Sequence, residues 1–301
     1  MRAGYQKKKI REALCGFKDK KSPGPDGLKP IIFRYIPDNI IHIIQLIYKA
    51  TVALSCTPKL WKETKVIFIP KPGKDDYSLP TAFRPISLSN YLLKGLECLV
   101  VWKMDEAILV NPVHTNQHGF RTDRSTETAI SAVTDYAEKF VMNKEHCIGI
   151  FLDIKSAFDS IDPMHIKQCL LDYGGDPEMV NWYFNYLRVR NLRVKLHGEE
   201  VRASVGVGFP QGGVASAKFW LIAFDKAVEI INRFGVVGNA FADDCAALIG
   251  GTHPQRLRNR LQKMLDQLTN WGRNCGLHFN PNKSVAVHLH EDGSCIQTTS
   301  S

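Results

Sequence analysis

The sequence predicts an α+β fold in which an antiparallel sheet is packed on helices. Three observations lead there. Residues 147–154 (Cys147-Ile148-Gly149-Ile150-Phe151-Leu152-Asp153-Ile154) form an almost continuous apolar run of strand length, the pattern of a buried central strand. Residues 192–207 and 235–249 each place two apolar-rich arms around a short turn, as hairpins do. Amphipathic helical segments lie between these strands without the regular strand-helix-strand rhythm of a doubly wound sheet.

Taken in order, the turn cluster Ser22-Pro23-Gly24-Pro25-Asp26-Gly27 separates a basic N-terminal arm, residues 1–21, from the rest of the chain. Residues 38–54 read as a helix. Thr64 to Ile69 is a β-branched run stopped by Pro70, and residues 71–76 form an exposed charged loop tip. From Ser125 to Met142, Ala129, Val133, Tyr136, Ala137 and Phe140 recur at helical spacing. Another apolar helix is expected near Phe219 to Ile231. The clearest helix carries Leu257, Leu261, Leu265, Leu268 and Trp271 on one face, with Pro254 in its first turn and Gly276 where a C-cap belongs. Leu277–Phe279 and Ser284–Leu289 read as a final short strand pair turning at Asn280–Lys283.

The 301 residues carry 39 Lys and Arg against 30 Asp and Glu, a net charge of +9 that favours an anionic partner such as nucleic acid. Eight basic residues against two acidic ones fall in the first 21 positions, so most of this charge is local. Such a segment can neutralise phosphates, act as a nuclear address, or simply be solvated. No apolar segment reaches the roughly 18 uncharged residues of a membrane span, and no secretory leader is expected. Eight scattered cysteines without a C-x-x-C pair argue against a disulfide framework and for the nucleus or cytoplasm. His288, His290 and Cys295 could ligate a metal, but the alternation of Val285, Val287 and Leu289 reads as an edge strand.

Asp153 near the end of an apolar strand is costly to bury unless paired, hydrogen-bonded or bound to metal. Asp243 and Asp244 raise the same question between Phe241, Ala242, Cys245 and Ala246. Alone, the pair reads more readily as a solvated Asx-type turn. Three carboxylates on apolar strands together suit phosphoryl transfer, which needs hard oxygen ligands for two Mg²⁺ ions about 4 Å apart.

The run Phe151-Leu152-Asp153-Ile154-Lys155-Ser156-Ala157-Phe158-Asp159, then Pro210-Gln211-Gly212, then Phe241-Ala242-Asp243-Asp244, resembles the palm motifs of reverse transcriptases in order and spacing. Residues 22–27, Ile69-Pro70-Lys71-Pro72-Gly73, Phe83-Arg84-Pro85-Ile86-Ser87-Leu88, Gln117-His118-Gly119-Phe120-Arg121 and Gly276-Leu277-His278-Phe279-Asn280 with Lys283 are similar to motifs of the non-LTR (LINE-like) retrotransposon branch. The matches run from about residue 22 to residue 289.

The resemblance implies a right-hand polymerase with fingers mainly over 22–146 and a catalytic palm mainly over 147–301, within one reverse transcriptase domain, 22–301. It implies an RNA-directed DNA polymerase that joins dNTPs to a primer 3′-hydroxyl on an RNA template, using Mg²⁺ (two ions, with Mn²⁺ an alternative). Asp153, Asp243 and Asp244 are the implied metal ligands. Phe158 would lie under the incoming sugar and exclude a 2′-hydroxyl. Lys71 and Arg84 match residues that contact the triphosphate, Gln211 and Gly212 the segment against nucleotide and template, and Lys283 a lysine proposed to protonate pyrophosphate. Phe241 stands where the family often has Tyr, and Ser216-Ala217 where Ser-Pro is usual. No segment matching the family's thumb follows the palm, so a catalytically silent remnant that only binds nucleic acid is the alternative.

Overall fold

The structure, a computed structural model, describes residues 5–196, 198–290 and 296–299. The helices are α1 (Lys7–Cys15), α2 (Asp38–Ala53), α3 (Lys59–Lys62), α4 (Tyr91–Val110), α5 (Thr126–Met142), α6 (Ala157–Ser160), α7 (Pro163–Asp172), α8 (Pro177–Arg188), α9 (Val214–Asn232) and α10 (Pro254–Asn274). The strands are β1 (Glu63–Pro70), β2 (Phe83–Leu88), β3 (His146–Leu152), β4 (Arg190–Leu196), β5 (Glu199–Val205), β6 (Val237–Phe241), β7 (Asp244–Gly251), β8 (Val285–Leu289) and β9 (Ile296–Thr299). The chain folds as two compact units, one of residues 1–111 with 163–218, the other of residues 112–162 with 219–301.

The first unit holds a four-stranded sheet ordered β2-β1-β4-β5. Its β1–β2 and β4–β5 pairs are antiparallel hairpins, whereas β1 and β4 run parallel, so this sheet is mixed. Helix α8 supplies a fully buried aromatic knot of Trp182, Tyr183 and Tyr186. The basic segment contains α1, whose Ile10, Ala13 and Leu14 are buried while its lysines stay at the surface, as the long lysine stems allow. Gly95 of α4 sits where a Cβ would meet the Leu14 side chain and the Tyr48 hydroxyl at 2.6 Å each. Helix α4 therefore packs its backbone closely against α1 and α2.

The second unit is built on the antiparallel sheet β6-β7-β3-β8-β9. Strand β3, the apolar run of the sequence, is central, between β7 and β8. Helix α5 begins at Ser125, whose hydroxyl accepts the Thr128 N–H while the Thr128 hydroxyl accepts the Ser125 N–H, closing a capping box. Its Val133, Tyr136, Ala137 and Phe140 pack on Cys147, Ala246 and Leu248. Helix α10 buries Leu257, Leu261, Met264 and Leu268, each worth about 2 kcal/mol of apolar burial. Gly276 follows its C-cap at φ +78°, the left-handed position expected from the sequence.

Two expectations are corrected by the sheet pairing. Residues 277–279 and 284–289 do not pair with each other. Instead β8 pairs with β3, from Cys147 opposite Leu289 to Phe151 opposite Val285, and Phe279 makes an isolated bridge to Ile154. Nor is β8 an edge strand, because β9 covers its other side. The physical reason is that β3 has both faces and both edges to satisfy, and the alternating apolar side chains of β8 complete its ladder. Cys295 lies outside the described residues, and His288 Nε2 stands 3.1 Å from His146 Nδ1 on the neighbouring strand.

Candidate active site

Asp153 immediately follows β3, and the turn at 280–284 grips it. The Asp153 carbonyl accepts the Asn280 N–H at 2.7 Å, and the Asp153 N–H donates to Ser284 Oγ at 3.3 Å. The Asn280 side-chain amide donates to Asp153 Oδ2 at 3.0 Å, and Lys283 Nζ lies 3.5 Å from Oδ1. Ser284 Oγ in turn donates to the Asn280 carbonyl at 2.9 Å, closing the loop on itself. A short polar turn thus fixes both backbone and carboxylate of one aspartate.

The other two aspartates lie at the β6–β7 turn. Phe241 ends β6 and pairs with Asp244, the first residue of β7, so Ala242 and Asp243 are the turn. Ala242 is left-handed, φ +59°, a conformation that costs an L-residue about 1–2 kcal/mol. Three contacts hold it there. Trp220 of α9 donates its indole N–H to the Ala242 carbonyl at 3.0 Å. Residues 116–118 run beside β6, with His118 N–H on the Ala240 carbonyl at 2.7 Å and Ala240 N–H on the Asn116 carbonyl at 2.9 Å. Gly119 then approaches so closely that a Cβ there would lie 2.2 Å from the Ala242 nitrogen. Any other residue at 119 would have to displace the turn.

Burial raises the pKa of Asp243, and the charges of Asp244 and Asp153 raise it further. Asp244 is raised by burial and by Asp153, with Lys283 pulling the other way. Asp243 and Asp244 are thus both held back from ionising by burial and by the negative charge of neighbouring carboxylates. Among the described residues no three His, Cys, Asp or Glu side chains converge as a metal cage. Mg²⁺ does not require one, since it is commonly held by one or two carboxylates with waters and substrate phosphates completing six oxygens. The mutual repulsion and hard oxygen donors of this cluster fit such an ion.

Phe158 is half-buried and stacks on Trp220 with ring centroids 4.9 Å apart, and it meets Phe120 edge-on at 6.3 Å. The ring that the sequence assigns to the nucleotide sugar and the indole that braces the Asp243 turn are thus one aromatic stack. A cavity of about 550 Å³ has Asp153, Asp244 and Lys283 together with Ile130, Phe151 and Phe241 in its lining.

The remaining candidates belong to the first unit. Lys71 follows β1, its Nζ donating to the Thr81 carbonyl at 3.0 Å, and Arg84 on β2 is exposed opposite Ile69. Both bases therefore flank the loop end of one hairpin. Gln211 and Gly212 form a turn against β2, with Ser87 N–H donating to the Gln211 carbonyl at 2.7 Å. Gly212 has φ +107°, where a Cβ would meet the Ser87 oxygen at 2.9 Å. The structure brings Asp153, Asp243, Asp244 and Lys283 together in one unit and Lys71, Arg84, Gln211 and Gly212 together in the other. Sequence reasoning assigned no role to Trp220, Gly119, Asn280 or Ser284, all of which act through contacts remote in the chain.

Residues 69–299 match the family model described as reverse transcriptase (RNA-dependent DNA polymerase). The chain is 26% identical, over 95% of its length, to the RNA-directed DNA polymerase from mobile element jockey of Drosophila melanogaster, covering 32% of that protein. It is 28% identical over 92% of its length to the probable RNA-directed DNA polymerase from transposon BS of the same organism, covering 31% of that protein. To the Pol polyprotein from retrotransposable element R1 of Bradysia coprophila it is 27% identical over 92% of its length, covering 27% of that protein. The chain thus spans about a third of the length of these relatives. Apo telomerase from Candida tropicalis, truncated from its C-terminal domain, matches in fold with a TM-score of 0.55 and 14% identity, over 86% of this chain and 57% of that one. These relatives bear out the resemblance to the non-LTR branch, and the chain belongs to the reverse transcriptase family.

Proposed function

We propose that the chain is the fingers-palm portion of an RNA-directed DNA polymerase of a non-LTR retrotransposon, which extends a primer 3′-hydroxyl with dNTPs on an RNA template. The observation that carries this reading is the set Asp153, Asp243 and Asp244, at the end of β3 and at the β6–β7 turn of one sheet, with Lys283 3.5 Å from Asp153. In the reaction the primer 3′-oxygen attacks the α-phosphorus of the nucleotide, the bond to pyrophosphate breaks, and the hydroxyl proton passes to solvent water. Asp153, Asp243 and Asp244 would hold two Mg²⁺ ions, which lower the pKa of the hydroxyl and offset charge on the leaving oxygen.

The chain's own residues orient the reactants. The primer's terminal nucleotide would occupy the cavity beside Asp153, its sugar and base against Ile130, Phe151 and Phe241. Phe158, stacked on Trp220, would sit beneath the incoming sugar and exclude a 2′-hydroxyl. Lys71 and Arg84 neutralise the triphosphate, and Gln211 and Gly212 face the nucleotide and template. Lys283 supplies a proton to the departing pyrophosphate. RNA, primer and dNTPs are the partners this requires, with the template held mainly by its backbone and binding weakened by salt. Among the described residues no helix is long and apolar enough to cross a membrane.

Primer extension on an RNA template tests the reading. The parent should incorporate dNTPs with Mg²⁺, and Asp243→Asn should abolish incorporation. An Asp243→Asn variant as fast as the parent would remove the metal assignment. Template binding without extension by the parent would leave a nucleic-acid-binding remnant.

A further inference from the structure

The turn Pro210–Gly213 is clamped at both ends by buried, oppositely charged side chains that the reaction itself does not use. Before the turn stands Arg190, 3% exposed, whose guanidinium donates to the carbonyls of Val207 and of Gly208, the latter at 2.9 Å, and to the Leu187 carbonyl at 3.1 Å. After it stands Glu97, fully buried on α4, whose Oε2 accepts the Val214 N–H at 3.1 Å. Val214 opens α9, so its N–H has no partner within the helix, and the helix dipole adds to the attraction for an anion.

Between these anchors the turn is held locally. Gly213 N–H and Ser216 Oγ both donate to the Pro210 carbonyl, at 2.9 and 2.8 Å, while Ser87 N–H holds the Gln211 carbonyl. Burying an ion is expensive, and a fold keeps one where its geometry is needed. Replacing the pair by apolar side chains would take these partners from the Val214 N–H and from the Leu187, Val207 and Gly208 carbonyls. What would be lost is the fixed path of Val207 to Val214.

We infer that Glu97, with Arg190, is a positioning residue that fixes Gln211 and Gly212 for nucleotide selection. This rests on the proposed polymerase reading, and it adds a determinant far from the carboxylates in sequence. The groups facing Glu97 are Lys94 and Cys98 on its own helix, the Tyr183 and Tyr186 side chains of α8, Arg190 at the start of β4, and the N-terminus of α9. Burial raises the Glu97 pKa to about 7, with Val214 N–H, Lys94 and Arg190 opposing. The Glu97 end of the clamp is thus mostly charged at pH 8 and mostly neutral at pH 6.

The test reads hydrogen exchange of residues 211–216 and, on the same proteins, the dNTP KM in primer extension at pH 6 and pH 8. Glu97→Met fills the space without an acceptor, and Glu97→Gln keeps an uncharged one. In Glu97→Met, exchange at 211–214 should rise about tenfold or more while β3 stays protected, and KM should rise by a larger factor than kcat falls. Glu97→Gln should fall between the two at pH 8 and match the parent at pH 6. A folded Glu97→Met with the parent's exchange and KM overturns the inference. Should that variant fail to fold, a Glu97→Gln protein indistinguishable from the parent at pH 8 overturns it equally. A parent that does not extend primers refutes the polymerase reading instead, and the exchange data alone then decide the clamp.

Discussion

Lys283 Nζ lies 3.5 Å from Oδ1 of Asp153, while the Asn280 amide holds the opposite oxygen of the same carboxylate at 3.0 Å. One turn therefore supplies both a cation and a neutral donor to one aspartate, and the two should separate by mutation. Lys283 is 64% exposed at its side chain, so Lys283→Ala should leave stability within about 0.5 kcal/mol and lower primer-extension kcat about 10²-fold. Asn280→Ala should instead loosen the Asp153 carboxylate and raise the Mg²⁺ concentration needed for half-maximal rate. Titrating Mg²⁺ in primer extension separates the two outcomes.

Gly119→Ala tests the approach of residues 116–120 to the Asp243 turn. A Cβ 2.2 Å from the Ala242 nitrogen cannot be accommodated by a rotamer change, because the obstructing atom is backbone. Stability should fall by about 1–3 kcal/mol in urea unfolding, and activity should fall with it although no charged group has been touched.

Trp220→Phe removes the indole N–H from the Ala242 carbonyl while retaining the stack with Phe158. The net loss should be about 1 kcal/mol of stability, with a larger proportional loss in kcat than in KM, because the strained turn loses one of its restraints. Rate and unfolding measurements on the same protein check it.

Phe158→Ala should admit ribonucleotides: the ratio of kcat/KM for a dNTP to that for the matching NTP should fall at least tenfold. An unchanged ratio would show that the ring is a core residue only.

Glu97 predicts a pH dependence of folding. Its folded pKa, about 7, exceeds the ordinary carboxylate value of 4.5, so the native state holds the proton more tightly and loses stability as pH rises from about 4.5 to about 7. Glu97→Gln carries no such proton. Stability of this variant relative to the parent should therefore climb across that window, by a few kcal/mol at most, and level off above it. Urea denaturation at pH 5, 6, 7 and 8 checks the slope.

Elements whose pattern is local were legible in the sequence. The apolar run of β3, the stripe of α10 with its Gly276 stop and the Ser125 start of α5 each state their own periodicity or cap. The site aspartates were legible because charge on an apolar strand is anomalous wherever it occurs. Pairings set by distant segments were not: nothing in Val285–Leu289 says that its ladder partner is β3 rather than residues 277–279. Helix α1 was masked because only Ile10, Ala13 and Leu14 mark its buried face among lysines. Nothing in the local sequence marks Lys94 and Glu97 as buried, and only their packing with Leu93, Leu96, Leu99 and Val100 on α4 shows it. Gly119 was visible as part of the 117–121 motif but its reason was not, since the backbone that excludes its side chain lies more than a hundred residues on.

That glycine bears on how copies of such a sequence are judged. A sequence with all three aspartates intact would still have its site distorted by a single codon change at position 119, because the Asp243 turn is shaped from outside its own hairpin. Intact carboxylates alone therefore do not establish that the turn carrying Asp243 keeps its shape. Gly119 and Trp220 are the additional positions to inspect.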